Sequence, residues 1–167
     1  MQTELRQVRA ARPARGPVSP ASLRAIVASV ASAPGQWAHL VRFSAGHRWY
    51  CRLEEAAGHE VWLLAWLPGQ QTGFHDHGAA RGAFAVAEGE LLESTARVGE
   101  TAVTGRVLRA GAVRSFGPAC LHDVRNASAR PAVSVHAYSP PLSLMRRYEM
   151  TAAGPVLAAT ETAEADW

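Results

Sequence analysis

The chain has 167 residues, 48% hydrophobic and 19% charged, enough for one domain with a sizeable core and too few for two large ones. No run of about 18 apolar residues occurs, so no transmembrane helix and no membrane partner are expected. The net charge is +3, and all 17 basic residues are Arg, with Arg6, Arg9, Arg12 and Arg15 carrying much of the excess near the N-terminus. No nucleic-acid motif follows that run, so it reads as a solvated arm rather than a nucleic-acid contact. No apolar stretch follows the N-terminal arginines either, so no secretory signal is expected and cytoplasm is the default location. In a reducing compartment Cys51 and Cys120 are expected to be buried thiols, and neither belongs to a CxxC pair.

Residues 1–18 lack apolar periodicity and read as a flexible Arg-rich arm. A helix is predicted from Ser19-Pro20, with Ser as cap and Pro at the first helical position, and Leu23, Ile26, Val27 and Val30 follow at helical spacing. Pro34-Gly35 ends it, and a second short helix is predicted over Gln36–Phe43. From Trp49 the pattern changes to short apolar runs punctuated by Gly and Pro. These predict strands at Trp49–Leu53, Val61–Leu67, Gly82–Val86, Glu90–Thr95, Val103–Leu108, Ala112–Phe116, His122–Arg125, Ala132–Tyr138 and Leu144–Met150. The fold class is all-β, a sandwich or barrel. Residues 151–167, rich in Ala, Thr and Glu, are expected to be a tail in which Gly154–Ala158 adds an edge strand at most. The domain is therefore placed at 19–150, a monomer.

The chemistry centres on Gly69–Gly89. His75 and His77 are one residue apart, so on a strand both imidazoles share a face and Asp76 points the other way. Two imidazoles on one face make half of a metal site. Gly69, His75, His77 and Gly89 are similar to the first motif of the cupin superfamily, G-x5-H-x-H-x3,4-E-x6-G. Gly111, Pro118, His122 and Asn126 resemble the second, which adds His122 as a ligand. The glutamate of that pattern would stand at Arg81 or Gly82, and neither can bind a metal. Three imidazoles without a carboxylate leave a divalent ion short of negative charge and leave about three open positions on an octahedral ion, room for a bidentate thiolate and O2. Zinc with three His and a water is the competing reading, pointing to hydration or hydrolysis.

A second polar pattern lies in Ser134-Val135-His136-Ala137-Tyr138-Ser139-Pro140-Pro141. Ser134, His136 and Tyr138 share one strand face and could form a hydrogen-bond relay, or simply the outward face of a half-buried strand. HDH, LHDVRN and SVHAYSPP together resemble the iron-dependent thiol dioxygenases of the cysteine dioxygenase family. The resemblance covers about Trp49 to Pro141. It implies a small cupin (jelly-roll) β-barrel with short N-terminal helices, Fe(II) held by His75, His77 and His122, and a catalytic relay of Ser134, His136 and Tyr138. It also implies a substrate site: Tyr50-Cys51-Arg52 fits the family's Tyr-x-Arg step, so Arg52 would bind the substrate carboxylate with Tyr50 and Tyr138 beside it. Arg48 is a rival for that role. The Cys that cross-links to the Tyr in mammalian members is Gly82 here, as in bacterial members, which leaves Tyr138 a free phenol. The expected reaction is L-cysteine plus O2 giving cysteine sulfinic acid. The alternatives are 3-mercaptopropionate or another small thiol as substrate, or a non-catalytic metal-binding cupin.

Overall fold

The computed structural model describes residues 16–162. Ser19 caps helix α1 (Pro20–Ala31) as predicted, its side chain accepting the Ser22 N–H at 3.1 Å. Leu23 and Val27, one turn apart, are the fully buried residues of α1. The expected second helix is instead two 3-10 turns, Pro34–Gln36 and Ala38–Leu40. Between them Trp37 is buried, and its indole N–H donates to the Val30 carbonyl at 2.8 Å. Docking that ring bends the chain back over the end of α1 and prevents a straight continuation.

Eleven strands follow among the described residues: β1 (Trp49–Ala56), β2 (His59–Trp66), β3 (His75–Asp76), β4 (Arg81–Glu88), β5 (Glu90–Ala96), β6 (Thr104–Arg109), β7 (Val113–Phe116), β8 (Leu121–Arg125), β9 (Ala132–Ser139), β10 (Leu144–Thr151) and β11 (Gly154–Thr162). They form a five-stranded sheet, β1-β2-β9-β4-β7, and a six-stranded sheet, β11-β10-β3-β8-β5-β6. All pairings are antiparallel.

Two apolar layers follow from strand alternation. Val61, Leu63, Ala83, Ala85, Val133, Val135 and Ala137 face Leu23 and Val27 of α1. Leu64, Trp66, Phe84, Val86, Leu91 and Val124 form the other layer, within the barrel. The five-stranded sheet is thus covered on both sides, and all eight residues of its central strand β9 are buried. Burying each large apolar side chain contributes on the order of 1.5–3 kcal/mol.

The ends differ from expectation. Val18 donates its N–H to Ser139 Oγ at 2.8 Å and packs on the α1-facing layer, so contacts with the barrel begin before residue 19. The expected tail supplies a nine-residue strand, β11, paired with β10 from Leu144↔Thr162 to Thr151↔Gly154. Pairing along a full neighbour overrides the weak strand propensity of its Ala and Glu residues. The rest of the predicted arm, residues 1–15, and residues 163–167 lie outside the described part. No helix among the described residues is long and apolar enough to cross a membrane.

Candidate metal centre and adjoining pocket

Strand β3 is two residues long and pinned on both sides. His75 pairs with Arg147 of β10 and with His122 of β8. Asp76 points away from the imidazoles, as alternation requires. It accepts Arg146 Nε at 3.0 Å, the Tyr148 hydroxyl at 2.8 Å and the Gly78 N–H at 2.8 Å. These bonds tie the short strand to β10 and to the turn that follows. The result is a buried cluster of His75, His77 and His122 whose potential ligand atoms all lie within 4.8 Å of one another.

Hydrogen bonds orient two of the rings. His75 Nδ1 lies 2.9 Å from the Gly73 carbonyl, which can only accept, so Nδ1 carries the proton and the Nε2 lone pair is free. His122 Nδ1 faces Glu93 Oε1 at 3.1 Å, leaving its Nε2 free in the same way. His77 Nε2 is buried with no hydrogen-bond partner among the described residues. Burial, reinforced by the neighbouring imidazoles, holds His75 and His77 well below the ordinary histidine range. Both rings are therefore neutral at pH 7 with lone pairs available. Converging free nitrogens, one of them otherwise unsatisfied, fit a metal ion.

Glu93 adjoins the cluster, and the sequence pattern alone did not single it out. It lies on β5, is 2% exposed, and accepts both His122 Nδ1–H and Arg114 Nε–H, the latter at 2.6 Å. Burial alone would raise its pKa; the bonds from His122 and Arg114 outweigh that and hold the carboxyl below its ordinary value. The site thus has a carboxylate behind a ligand rather than among the ligands, which orients the ring and raises its basicity. A signal was present: in Glu90–Ala96 alternation puts Glu93 on the same inward face as Leu91.

The stripe on β9 points into the barrel, not outward. Trp66 Nε1–H donates to Ser134 Oγ at 2.9 Å, and Ser134 Oγ lies 2.8 Å from His136 Nε2. Ser134 is fully buried, and besides Trp66, which only donates, its hydroxyl meets His136 Nε2 alone among the described side chains, so the Ser134 proton is assigned to that nitrogen and His136 to the Nδ1–H tautomer. That N–H then donates to the Tyr138 oxygen at 3.3 Å, which leaves the phenol proton free for another acceptor. Burial pushes His136 down to about 3 and pushes the Tyr138 phenol up, so both are neutral at pH 7. Phe84 stacks on His136 at 5.0 Å, and the Tyr138 ring lies 4.8 Å from that of His77.

A cavity of about 50 Å³ adjoins these groups, lined by Arg48, Tyr50, Trp62, Thr72, His75, His122, His136, Tyr138 and Arg147 among others. At roughly 10–15 Å³ per water it holds a few waters or one small molecule. Arg48 and Tyr50 line it; Arg52 does not, contrary to expectation. Arg52 is exposed, pairs with Glu55 at 2.8 Å and Glu60 at 3.8 Å, and lies over the ring of Trp62, whose centroid is 5.5 Å away. A register shift between Arg52 and Glu54 marks where β1 departs from the regular ladder. Arg48 instead stacks on Trp66 at 4.9 Å and donates to the Gln71 carbonyl at 3.2 Å, while its buried Nε has no partner among the described residues. Arg147, also unanticipated, faces the same cavity but is held by Glu161 and the Thr72 carbonyl, each at 3.0 Å.

A sequence model of the family described as cysteine dioxygenase type I matches residues 14–151. The chain belongs to this family. Solved structures share the fold. The protein TT1209 from Thermus thermophilus is 23% identical with a TM-score of 0.55, over 62% of this chain and 93% of that one. An uncharacterized conserved protein with a double-stranded β-helix domain from Klebsiella pneumoniae is 24% identical with a TM-score of 0.54, over 73% and 93%. A cupin superfamily protein from Desulfitobacterium hafniense is 10% identical with a TM-score of 0.52, over 62% and 87%. The fold is thus a cupin barrel, and its three-histidine cluster is that of a thiol dioxygenase-like metal enzyme. Position 82 is Gly in this member of the family, and Cys51 and Cys120 are free and only partly buried.

Proposed function

We propose that the protein is a mononuclear non-haem Fe(II) thiol dioxygenase that oxidises L-cysteine with O2 to cysteine sulfinic acid. One juxtaposition carries the reading: three buried imidazoles with no carboxylate among them, beside a cavity whose wall includes Arg48 and Tyr138. His75, His77 and His122 would hold the ion. Ferrous iron in that ligand set supplies the redox chemistry by which both atoms of O2 reach a thiolate sulfur.

The chain's own residues do the rest. Three uncharged ligands leave the ion's charge uncompensated, so the site favours a substrate that binds as an anion, as a thiolate does. Arg48 binds the substrate carboxylate. It has no acidic partner among the described residues, and its planar fork with a buried free Nε matches a carboxylate in two-pronged fashion. Tyr50, on the same cavity wall, flanks that carboxylate. Tyr138 keeps its proton because burial disfavours the phenolate, and the His136 N–H occupies one side of its oxygen. The phenol is therefore a donor with a fixed direction, held by Ser134 and Trp66 through His136.

One observation favours a second substrate, 3-mercaptopropionate: no Asp or Glu lines the cavity to receive an ammonium group. A simple metal-binding cupin makes no use of a positioned phenol. The deciding experiment measures metal content, O2 uptake and sulfinate formation with L-cysteine, 3-mercaptopropionate and cysteamine. Iron-dependent uptake with the carboxylate-bearing thiols and little with cysteamine is expected. An iron-loaded protein that consumes no O2 with any of them overturns the reading.

A further inference from the structure

His77 differs from the other two histidines of the cluster: among the described residues no hydrogen bond to either ring nitrogen orients it. What touches it is aromatic. Phe116 stacks on the His77 ring at 5.0 Å with 22° between planes, and Tyr138 lies on it at 4.8 Å and 40°. Phe116 also meets His122 at 4.8 Å. The ring reaches this place because Phe116 sits directly across from Gly82 in the β4–β7 ladder. A Cβ on Gly82 would run into the end of the Phe116 ring and come within 3.1 Å of the Ala137 carbonyl. Phe116 is 7% exposed and wedged among His77, His122 and Tyr138, so it has little room to yield.

We propose that Phe116 is a positioning residue: through its cross-strand interlock with Gly82 it fixes the His77 ring and fills the space a fourth protein ligand from β4 would need. Gly82 is one of the two positions at which the cupin glutamate would stand. The missing carboxylate is therefore a packing decision made by two residues, and restoring it requires changing both. Phe116 does for His77 what Glu93 does for His122, by ring contact in place of a hydrogen bond.

The inference rests on reading the trio as a metal site, and a Co²⁺ titration of the metal-free protein separates the two. Affinity and the visible ligand-field spectrum are read for wild type, Phe116→Leu, Gly82→Glu, and Gly82→Glu combined with Phe116→Ala, with folding checked by circular dichroism. Phe116→Leu keeps apolar bulk and loses the flat face; Co²⁺ binding is expected to weaken about tenfold with the spectrum's shape retained. The double variant is expected to show a spectrum shifted toward higher coordination, whereas Gly82→Glu alone does not acquire it. Phe116→Leu binding within twofold of wild type, or Gly82→Glu alone giving the shifted spectrum, overturns the role of Phe116 and leaves the metal site standing. Wild type that binds no Co²⁺ overturns both.

Discussion

Arg48 and Arg52 lie four residues apart, and their surroundings assign them different work. Arg48 faces the cavity with a buried, unpaired Nε, whereas Arg52 is spent on Glu55 and Glu60. Arg48→Gln should therefore raise KM for a carboxylate-bearing thiol by roughly 10- to 100-fold, the range for losing hydrogen bonds to a charged group, with a smaller effect on kcat. Arg52→Gln should leave KM within about threefold; steady-state kinetics on both variants tests this, and the reverse ranking would return the role to Arg52. At Tyr138 the hydroxyl is the only group lost in Tyr138→Phe, and its ring contact with His77 survives. Turnover should fall by roughly 10- to 100-fold while iron content stays near wild type, measured by oxygen uptake and metal analysis.

At the scale of the element, the four-residue strand β7 does more than its length suggests. Arg114 and Phe116, two apart, share its inward face. Arg114 holds Glu93, which holds His122, and Phe116 braces His77. Glu93→Gln keeps the size but removes the charge that accepts from both His122 and Arg114. Metal affinity should drop by roughly 10- to 100-fold, read by competition with a chelator. Unchanged affinity would mean Glu93 only fills space. Strand β9 makes the complementary contribution. It is buried along its whole length, so its polar stripe can persist only because Trp66, Ser134, His136 and Tyr138 satisfy one another in series.

For the whole molecule, burying neutral histidines between two sheets links stability to pH. His136 is held at about 3, and His75 and His77 well below their ordinary value, by burial first of all. In the unfolded chain each binds a proton near pH 6.5, so between about 6.5 and 3 the unfolded state binds more protons than the native one. The stabilising contribution is complete above about pH 6.5 and is lost as pH falls toward 3. Each such histidine contributes a slope of up to about 1.4 kcal/mol per pH unit. Urea midpoints of the metal-free protein should fall steadily from pH 7 to pH 4.5, and His136→Gln should flatten that decline. A flat profile would mean that the rings are hydrated in the native state.

Much of this was legible in the sequence. The strand rhythm, the helix start at Ser19-Pro20, His75 and His77 on one face, and the Ser134-His136-Tyr138 stripe all follow from local rules of period and capping; His122 came with the second cupin motif. The motifs carried the family because three of them occur in order, and the match over residues 14–151 establishes it. What the sequence left open depended on contacts between distant strands. Local alternation cannot tell which face of β9 is inside, which arginine of Arg48 and Arg52 reaches the cavity, that Glu93 lies behind His122 29 residues away, or that β11 pairs through Thr162. Those outcomes were decided by how the two sheets close on each other, because burial and partner choice are properties of the packed barrel and not of any one strand.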